Sequence, residues 1–119
     1  MHELSVAGAV LETVERHASG RPVTRVCLRV GRLRQVVPES LTFYWSVVAR
    51  GTVCEGARLE CVEIDAALRC EDCGENWTPD WPSFRCPACD SAQVSVAAGE
   101  ELEVDYIEVQ EEAACIAPR

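Results

Sequence analysis

The chain has 119 residues and a hydrophobic content of 48%, which suffices for one ordinary domain with a buried core. Its net charge of −9, without a single lysine, disfavours a nucleic-acid-binding protein, because phosphates attract a basic surface. No apolar run approaches the length of a membrane span, and the first residues lack the basic and apolar regions of a signal peptide. We therefore predict a cytoplasmic protein without membrane attachment, in which paired cysteines are more often metal ligands than disulfides.

Apolar periodicity predicts two helices and two strands in the first half of the chain. Residues 4–18 and 38–50 repeat apolar side chains at helical spacing, and the second helix opens on Pro38, which suits a first turn. Residues 23–30 alternate apolar and polar side chains, as does a strand with one buried face. Residues 57–65 alternate less regularly and predict a second strand that is partly buried on both faces.

The second predicted helix carries an apolar stripe that we expect to face the core. The stripe consists of Leu41, Tyr44, Trp45 and Val48, and is joined by Phe43 and Val47. A stripe at this spacing is typical of a buried helix face rather than of a cofactor site.

Six arginines fall between Arg16 and Arg34. They could bind an acidic partner, but the preferred interpretation is that they pair with carboxylates on neighbouring strands.

A last strand is predicted at residues 102–109, followed by an acidic tail. No further partner follows this strand, so we expect it to return to the first two strands. The predicted fold is therefore of the α+β class, with two helices packed on a small three-stranded sheet and a zinc-ribbon subdomain inserted between strands. We place the boundaries at residues 1–66 plus 100–119 for the α+β domain and 67–99 for the ribbon.

Two Cys-x-x-Cys pairs, separated by twelve residues, provide the strongest chemical signal in the sequence. They comprise Cys70, Cys73, Cys86 and Cys89. Four thiolates at this spacing are typical of a tetrahedral structural zinc site. Gly74 follows the first pair, where a positive φ is often required, and Pro87 stiffens the second. A pair of disulfides and a rubredoxin-like iron site with the same ligands are the alternatives.

A site built from four cysteines leaves no coordination position open for a substrate, so we do not predict an enzyme. With only two histidines, the sequence shows no credible pair of catalytic nucleophile and base.

The other cysteines show no paired spacing. We interpret Cys27, Cys54 and Cys61 as small apolar or half-buried residues and Cys115 as an incidental thiol of the tail.

The first three residues, Met1, His2 and Glu3, form a second group with metal-binding chemistry. The α-amine, the following amide nitrogen and the imidazole can chelate one ion in fused rings, and nitrogen-rich square-planar sites suit Ni(II) or Cu(II). Glu3 could add an oxygen ligand or a supporting hydrogen bond. The chemistry of these residues alone also fits an ordinary chain terminus.

His17, the other histidine, lies in the last predicted turn of the first helix, where its cationic form interacts favourably with the helix dipole.

Together, these features resemble the HypA/HybF family of hydrogenase maturation nickel metallochaperones. The resemblance rests on Met1-His2-Glu3, on the Val-Pro-Glu-Ser-Leu opening of the second helix at Val37, and on the two cysteine pairs. It covers nearly the whole chain. Arg32 stands where many members carry an acidic residue, so the loop from Arg32 to Val37 is where this chain could differ.

The resemblance implies that Ni(II) is transported, bound through His2 and nearby backbone nitrogens with support from Glu3. It also implies structural zinc at the four paired cysteines. The implied partners are a nickel-handling GTPase and the large subunit of [NiFe] hydrogenase, with a monomer or homodimer as the carrier. Two other functions are compatible with the cysteine pairs. One is a zinc-ribbon adaptor for nucleic acid or the transcription machinery, and the other is an electron carrier with iron in place of zinc.

Overall fold

The computed structural model describes residues 3–79 and 84–110, and the chain divides into two compact units. The described part of unit 1 comprises residues 3–29, 36–62 and 103–110. The described part of unit 2 comprises residues 30–35, 63–79 and 84–102. The domain boundaries proposed from the sequence stay a prediction.

Unit 1 contains two helices, α1 at Glu3–Ala18 and α2 at Pro38–Val48. One face of α1 is buried, through Val6, Ala7, Val10, Val14 and Ala18. Within residues 3–79 and 84–110, no helix has both the length and the apolar character that a membrane span requires.

The buried row of α2 is narrower than the apolar stripe in its sequence. Leu41 and Trp45 are buried, with 0% and 2% of their surface exposed. Phe43 and Val47, which the sequence placed in the stripe, are exposed by 61% and 37%. Phe43 and Val47 each lie two positions after a residue of the buried row, Leu41 or Trp45, and therefore on another side of the helix. That part of the prediction was wrong.

One three-stranded sheet is formed by β1 at Val23–Gly31, β2 at Arg58–Ile64 and β6 at Leu102–Val109, and most of its residues belong to unit 1. Their order is β2-β1-β6, which places β1 in the centre and confirms the predicted return of the last strand. On β1, Val26 and Leu28 are fully buried. The two helices with this small sheet confirm the predicted α+β class.

The arginines of β1 alternate with its buried residues and pair with carboxylates on both neighbouring strands. Arg25 lies 3.3 Å from Glu60 of β2 and 3.9 Å from Glu108 of β6, and it donates a 2.6 Å hydrogen bond to the hydroxyl of Tyr106. Arg29 pairs with Glu103 at 3.0 Å. These contacts support the interpretation of the arginine cluster as cross-strand ion pairs.

Unit 2 contains a second three-stranded sheet that the sequence did not predict. Its strands are β3 at Ala67–Cys70, β4 at Asn76–Trp77 and β5 at Val94–Ala98, in the order β4-β3-β5. Both pairings are antiparallel, and a bulge interrupts the β3–β5 register between Ala67 and Leu68. Periodicity did not predict these strands, because strands of two to five residues are too short to show a clear alternation.

The segment Val30–Gln35, which includes a 3-10 turn at Arg32–Arg34, completes unit 2. The amide of Leu33 donates to the carbonyl of Gly99 at 2.8 Å, and Nε of Arg34 donates to the carbonyl of Glu100 at 2.8 Å. These bonds fix the segment to the turn between β5 and β6.

Candidate metal centre

The two cysteine pairs form two turns with the same backbone hydrogen bonds. In the first, the amide of Gly74 donates to the carbonyl of Cys70 at 3.0 Å, and the amide of Cys70 donates to the carbonyl of Glu75 at 2.9 Å. In the second, Asp90 donates to Cys86 at 2.8 Å, and Cys86 donates to Ser91 at 3.0 Å. Two identical turns therefore present two sulfurs each.

These turns bring all four predicted ligands together, with their Sγ atoms within 4.8 Å of one another. Sγ of Cys70 lies 3.6 Å from Sγ of Cys89, and Sγ of Cys73 lies 3.6 Å from Sγ of Cys86. A tetrahedron with metal–sulfur bonds of about 2.3 Å has edges of about 3.8 Å, so the cluster fits a single four-coordinate ion. A disulfide requires about 2.05 Å, and the structure has these four cysteines as free thiols.

Backbone amides point at the buried sulfurs. The amide of Cys73 donates to Sγ of Cys70 at 3.5 Å, and the amides of Ala88 and Cys89 donate to Sγ of Cys86 at 3.3 and 3.4 Å. The first of these bonds is the largest cause that lowers the pKa of Cys70 to about 7. The fold thus stabilises a thiolate before any cation is bound.

The pKa values of Cys73 and Cys89 are both raised, so these two thiols resist ionisation without a cation. For Cys89, the Ser91 amide lowers the pKa, but the thiol of Cys70 and burial outweigh it and raise the pKa to about 12. The pKa of Cys73 is also raised, because the thiol of Cys86 and burial outweigh the amide of Glu75. Since metal ions compete with protons for sulfur, a divalent cation would bind with release of protons.

Residues between and beside the cysteines fasten the two turns. The hydroxyl of Ser91 donates to the carboxylate of Asp72, and the hydroxyl of Ser95 donates to the carboxylate of Glu71. The first bond joins one cysteine turn to the other, and the second joins the first turn to β5. These links were not predictable from the sequence, because a serine that accompanies an acidic residue gives no distinctive pattern.

Asp90 is a further residue of the site that the sequence did not single out. It has a φ of +63°, at the position after Cys89 that corresponds to Gly74 after Cys73, where φ is +82°. Aspartate tolerates this region better than most residues. Arg85 donates to its carboxylate at 3.1 Å and to its carbonyl at 2.9 Å, which holds the turn in this conformation.

The predicted nickel residues are only partly described. Met1 and His2 lie outside the described residues. Glu3 opens α1, and its Oε2 accepts a hydrogen bond from the amide of Val37 at 3.0 Å. His17 lies in the last turn of α1, with Nδ1 at 2.9 Å from the carbonyl of Thr13.

The other described cysteines belong to unit 1, whereas the four-cysteine cluster belongs to unit 2. Cys27 and Cys54 are buried and Cys61 is half-buried, which confirms that they are small core or near-core residues. Burial is the main cause that raises the pKa of Cys54 to about 11, so its thiol stays protonated at neutral pH. Cys115 lies outside the described residues.

Comparison with known proteins identifies a family. Residues 1–109 match the family described as "Hydrogenase/urease nickel incorporation, metallochaperone, hypA". The hydrogenase maturation factor HypA of Acidithiobacillus ferrooxidans is 41% identical over 113 residues, which cover 92% of this chain and 100% of the relative. The factor of the same name from Rippkaea orientalis is 36% identical over 111 residues, or 93% of this chain and 97% of the relative.

A solved structure agrees with this assignment. The solution structure of the Ni metallochaperone HypA from Helicobacter pylori superposes with a TM-score of 0.69 at 25% identity, over 94% of this chain and 100% of that one. The chain therefore belongs to the HypA family of nickel-incorporation metallochaperones, whose members are metal carriers and not enzymes.

Proposed function

We propose that this chain binds Ni(II) at Met1, His2 and Glu3, through His2 and nearby backbone nitrogens with Glu3 in support, and delivers it to the large subunit of [NiFe] hydrogenase. The observation that carries the proposal is the family match from residue 1 to residue 109, which includes both the three N-terminal residues and the four paired cysteines. Nickel is the cargo in this function, so its site has to release the ion as well as capture it.

The chemistry of the N-terminus supports nickel as the cargo. An α-amine with a pKa of about 7.7–8.0 and an imidazole with a pKa of about 6.5 can both lose their protons near neutral pH. Together with a backbone amide nitrogen, they provide the nitrogen-rich set that suits square-planar Ni(II). A site with few anionic ligands at a chain terminus is also suited to handing the ion over.

We further propose that the four-cysteine cluster holds a structural Zn(II). Its four sulfurs, two pairs of which lie 3.6 Å apart and all of which lie within 4.8 Å of one another, fit the tetrahedral coordination of zinc, with every position filled by protein. The bound ion would stabilise unit 2, because ligands that assemble on folding couple metal affinity to folding free energy. Iron would fit the same ligands, and metal analysis distinguishes the two.

The proposed partners are a nickel-handling GTPase and the hydrogenase large subunit, met in the cytoplasm by a monomer or homodimer. Four cysteines gathered at distances that suit a metal ion support a reducing compartment, where paired cysteines are more often metal ligands than disulfides. The alternative of a nucleic-acid adaptor has less support, since Arg85, one of the two arginines in residues 68–93, is engaged by Asp90.

The decisive experiment is calorimetric titration of Ni(II) into zinc-loaded protein with its native, untagged N-terminus. We expect about one nickel per chain in the wild type, loss of that binding in His2→Ala and retention in His17→Ala, the matched histidine control. Equal binding by the wild type and His2→Ala would move the nickel to another site. An absence of binding in all three proteins would refute the nickel function.

Elemental analysis and the visible spectrum test the second site. We expect one zinc per chain and no visible absorption, with the zinc lost in Cys86→Ser and kept in Cys61→Ser. A coloured protein that contains iron would overturn the assignment of zinc.

A further inference from the structure

The hydrogen bond of Glu3 joins two distant parts of unit 1. Glu3 is the first described residue of α1, and Val37 immediately precedes α2. Oε2 of Glu3 accepts from the amide of Val37 across a separation of 34 residues. The residue that covalently follows His2 is thereby attached to the start of the second helix.

This bond supplies a cap that α2 cannot make from its own sequence. Val37 is the N-cap of α2, and no side chain of the helix caps it. In a capping box, a glutamate three residues into the helix accepts from the amide of the N-cap, but here that position is occupied by Ser40. Glu3 provides the same contact from another helix, and its negative charge complements the positive end of α2.

We propose that Glu3 is a positioning residue of the nickel site and not an indispensable nickel ligand. This inference rests on the proposed function, because it assumes that nickel binds at Met1 and His2. The carboxylate fixes the backbone directly after His2 to Val37, so fewer conformations are lost when the N-terminal nitrogens close around the ion. Only the backbone amide of Val37 supports the nickel site, and its side chain takes no part.

Four variants separate the two roles of Glu3. Glu3→Ala removes the acceptor, and Val37→Pro removes the donor while Glu3 stays available as a ligand. Glu3→Gln keeps an oxygen acceptor, and Val37→Ala keeps the amide but removes most of the side chain. Val37 has φ −90° and ψ 112°, close to the backbone conformation that proline adopts.

If Glu3 positions the site, we expect Glu3→Ala and Val37→Pro each to weaken nickel binding by about 10- to 100-fold, as loss of a supporting hydrogen bond does at other metal sites. The double variant should bind about as weakly as either single one, since both remove the same bond. Glu3→Gln and Val37→Ala should bind like the wild type. The visible absorption band of bound Ni(II) should be unchanged in Glu3→Gln.

The exchange rate of the Val37 amide, followed by NMR on the zinc-loaded protein, gives a measurement that does not depend on the proline variant. It should rise in Glu3→Ala and remain slow in Glu3→Gln. An unchanged rate in Glu3→Ala would overturn the proposal.

Two titration results would also overturn it. If Glu3→Gln bound as weakly as Glu3→Ala while a folded Val37→Pro bound normally, Glu3 would be a ligand. If all four variants bound like the wild type, the hydrogen bond would be purely structural. A wild type that binds no nickel, or that binds it equally in His2→Ala, would instead refute the proposed nickel function, and this inference with it.

Discussion

Gly31 and Gly99 lie so close together in unit 2 that Gly31 has no room for a side chain. A Cβ atom at Gly31 would lie 2.0 Å from the carbonyl oxygen of Gly99, and one at Gly99 would lie 2.7 Å from Cα of Ala66. Gly99 also has a φ of +113°. Because the opposing atoms belong to the backbone, they cannot move aside as a flexible side chain would.

We expect Gly31→Ala to lower the free energy of unfolding of unit 2 by about 1–3 kcal/mol, since overpacking forces the backbone to shift. Gly8→Ala is the matched control. Gly8 lies within α1, and a Cβ atom there would meet nothing within 4 Å, so the alanine should stabilise unit 1 by about 1 kcal/mol. Urea titrations followed through the NMR signals of each unit would measure both. An unperturbed Gly31→Ala would contradict the close contact.

At the level of the elements, α2 is attached to the loop before β2 by one buried hydrogen bond. Nε1 of Trp45 donates to the carbonyl of Ala57 at 3.0 Å, and both residues are buried. Trp45→Phe should destabilise unit 1 by about 1–3 kcal/mol, because the carbonyl loses its partner and the smaller ring leaves a gap. Thermal unfolding would measure the loss.

Phe43→Leu provides the comparison on the same helix. Phe43 is 61% exposed, and we expect its replacement to change stability by no more than about 0.5 kcal/mol. Equal losses of stability in Trp45→Phe and Phe43→Leu would show that neither the burial of the indole nor its hydrogen bond stabilises unit 1.

The long elements could be predicted because their periodicity repeats several times. The last strand was predicted at residues 102–109 and observed at Leu102–Val109, and α1 begins one residue before its predicted start. The sheet of unit 2 could not be predicted in the same way. β4 has two residues, Asn76 and Trp77, and is fixed by pairing with β3 rather than by its own pattern.

The candidate site was predictable to a similar degree. Cysteine spacing identified all four sulfurs that the fold gathers, because their chemistry is specific. The hydrogen bond from Val37 to Glu3 was not predictable, since it depends on where α1 begins relative to α2. The same holds for Asp90, whose positive φ is maintained by Arg85.

At the scale of the whole molecule, the two units differ in how they are stabilised. Unit 1 buries large side chains of its own, among them Val14, Leu28, Leu41 and Trp45. In the described part of unit 2, the buried apolar side chains besides cysteine are Val30, Ala66 and Leu68. We expect so small a core to need a bound metal to hold its short strands.

We therefore expect a chelator to unfold unit 2 and leave unit 1 folded. After metal removal, the amides of β3 and β5 should lose protection from hydrogen exchange, while those of α1 and α2 keep it. Restoring Zn(II) should restore protection in unit 2, and Cys61→Ser should behave like the wild type. Simultaneous loss of protection in both units would show instead that the chain unfolds as one cooperative structure.

The segment Val30–Gln35 has a consequence for protein engineering. A peptide of residues 63–102 contains all four sulfurs but lacks Leu33 and Arg34, which bind the carbonyls of Gly99 and Glu100. The chain enters and leaves unit 2 twice, so the unit cannot be transplanted as one continuous cassette. A host protein that received it would need two insertion points, and a library that varies the cysteine turns would also have to retain Leu33 and Arg34, which are encoded well upstream of the cysteines.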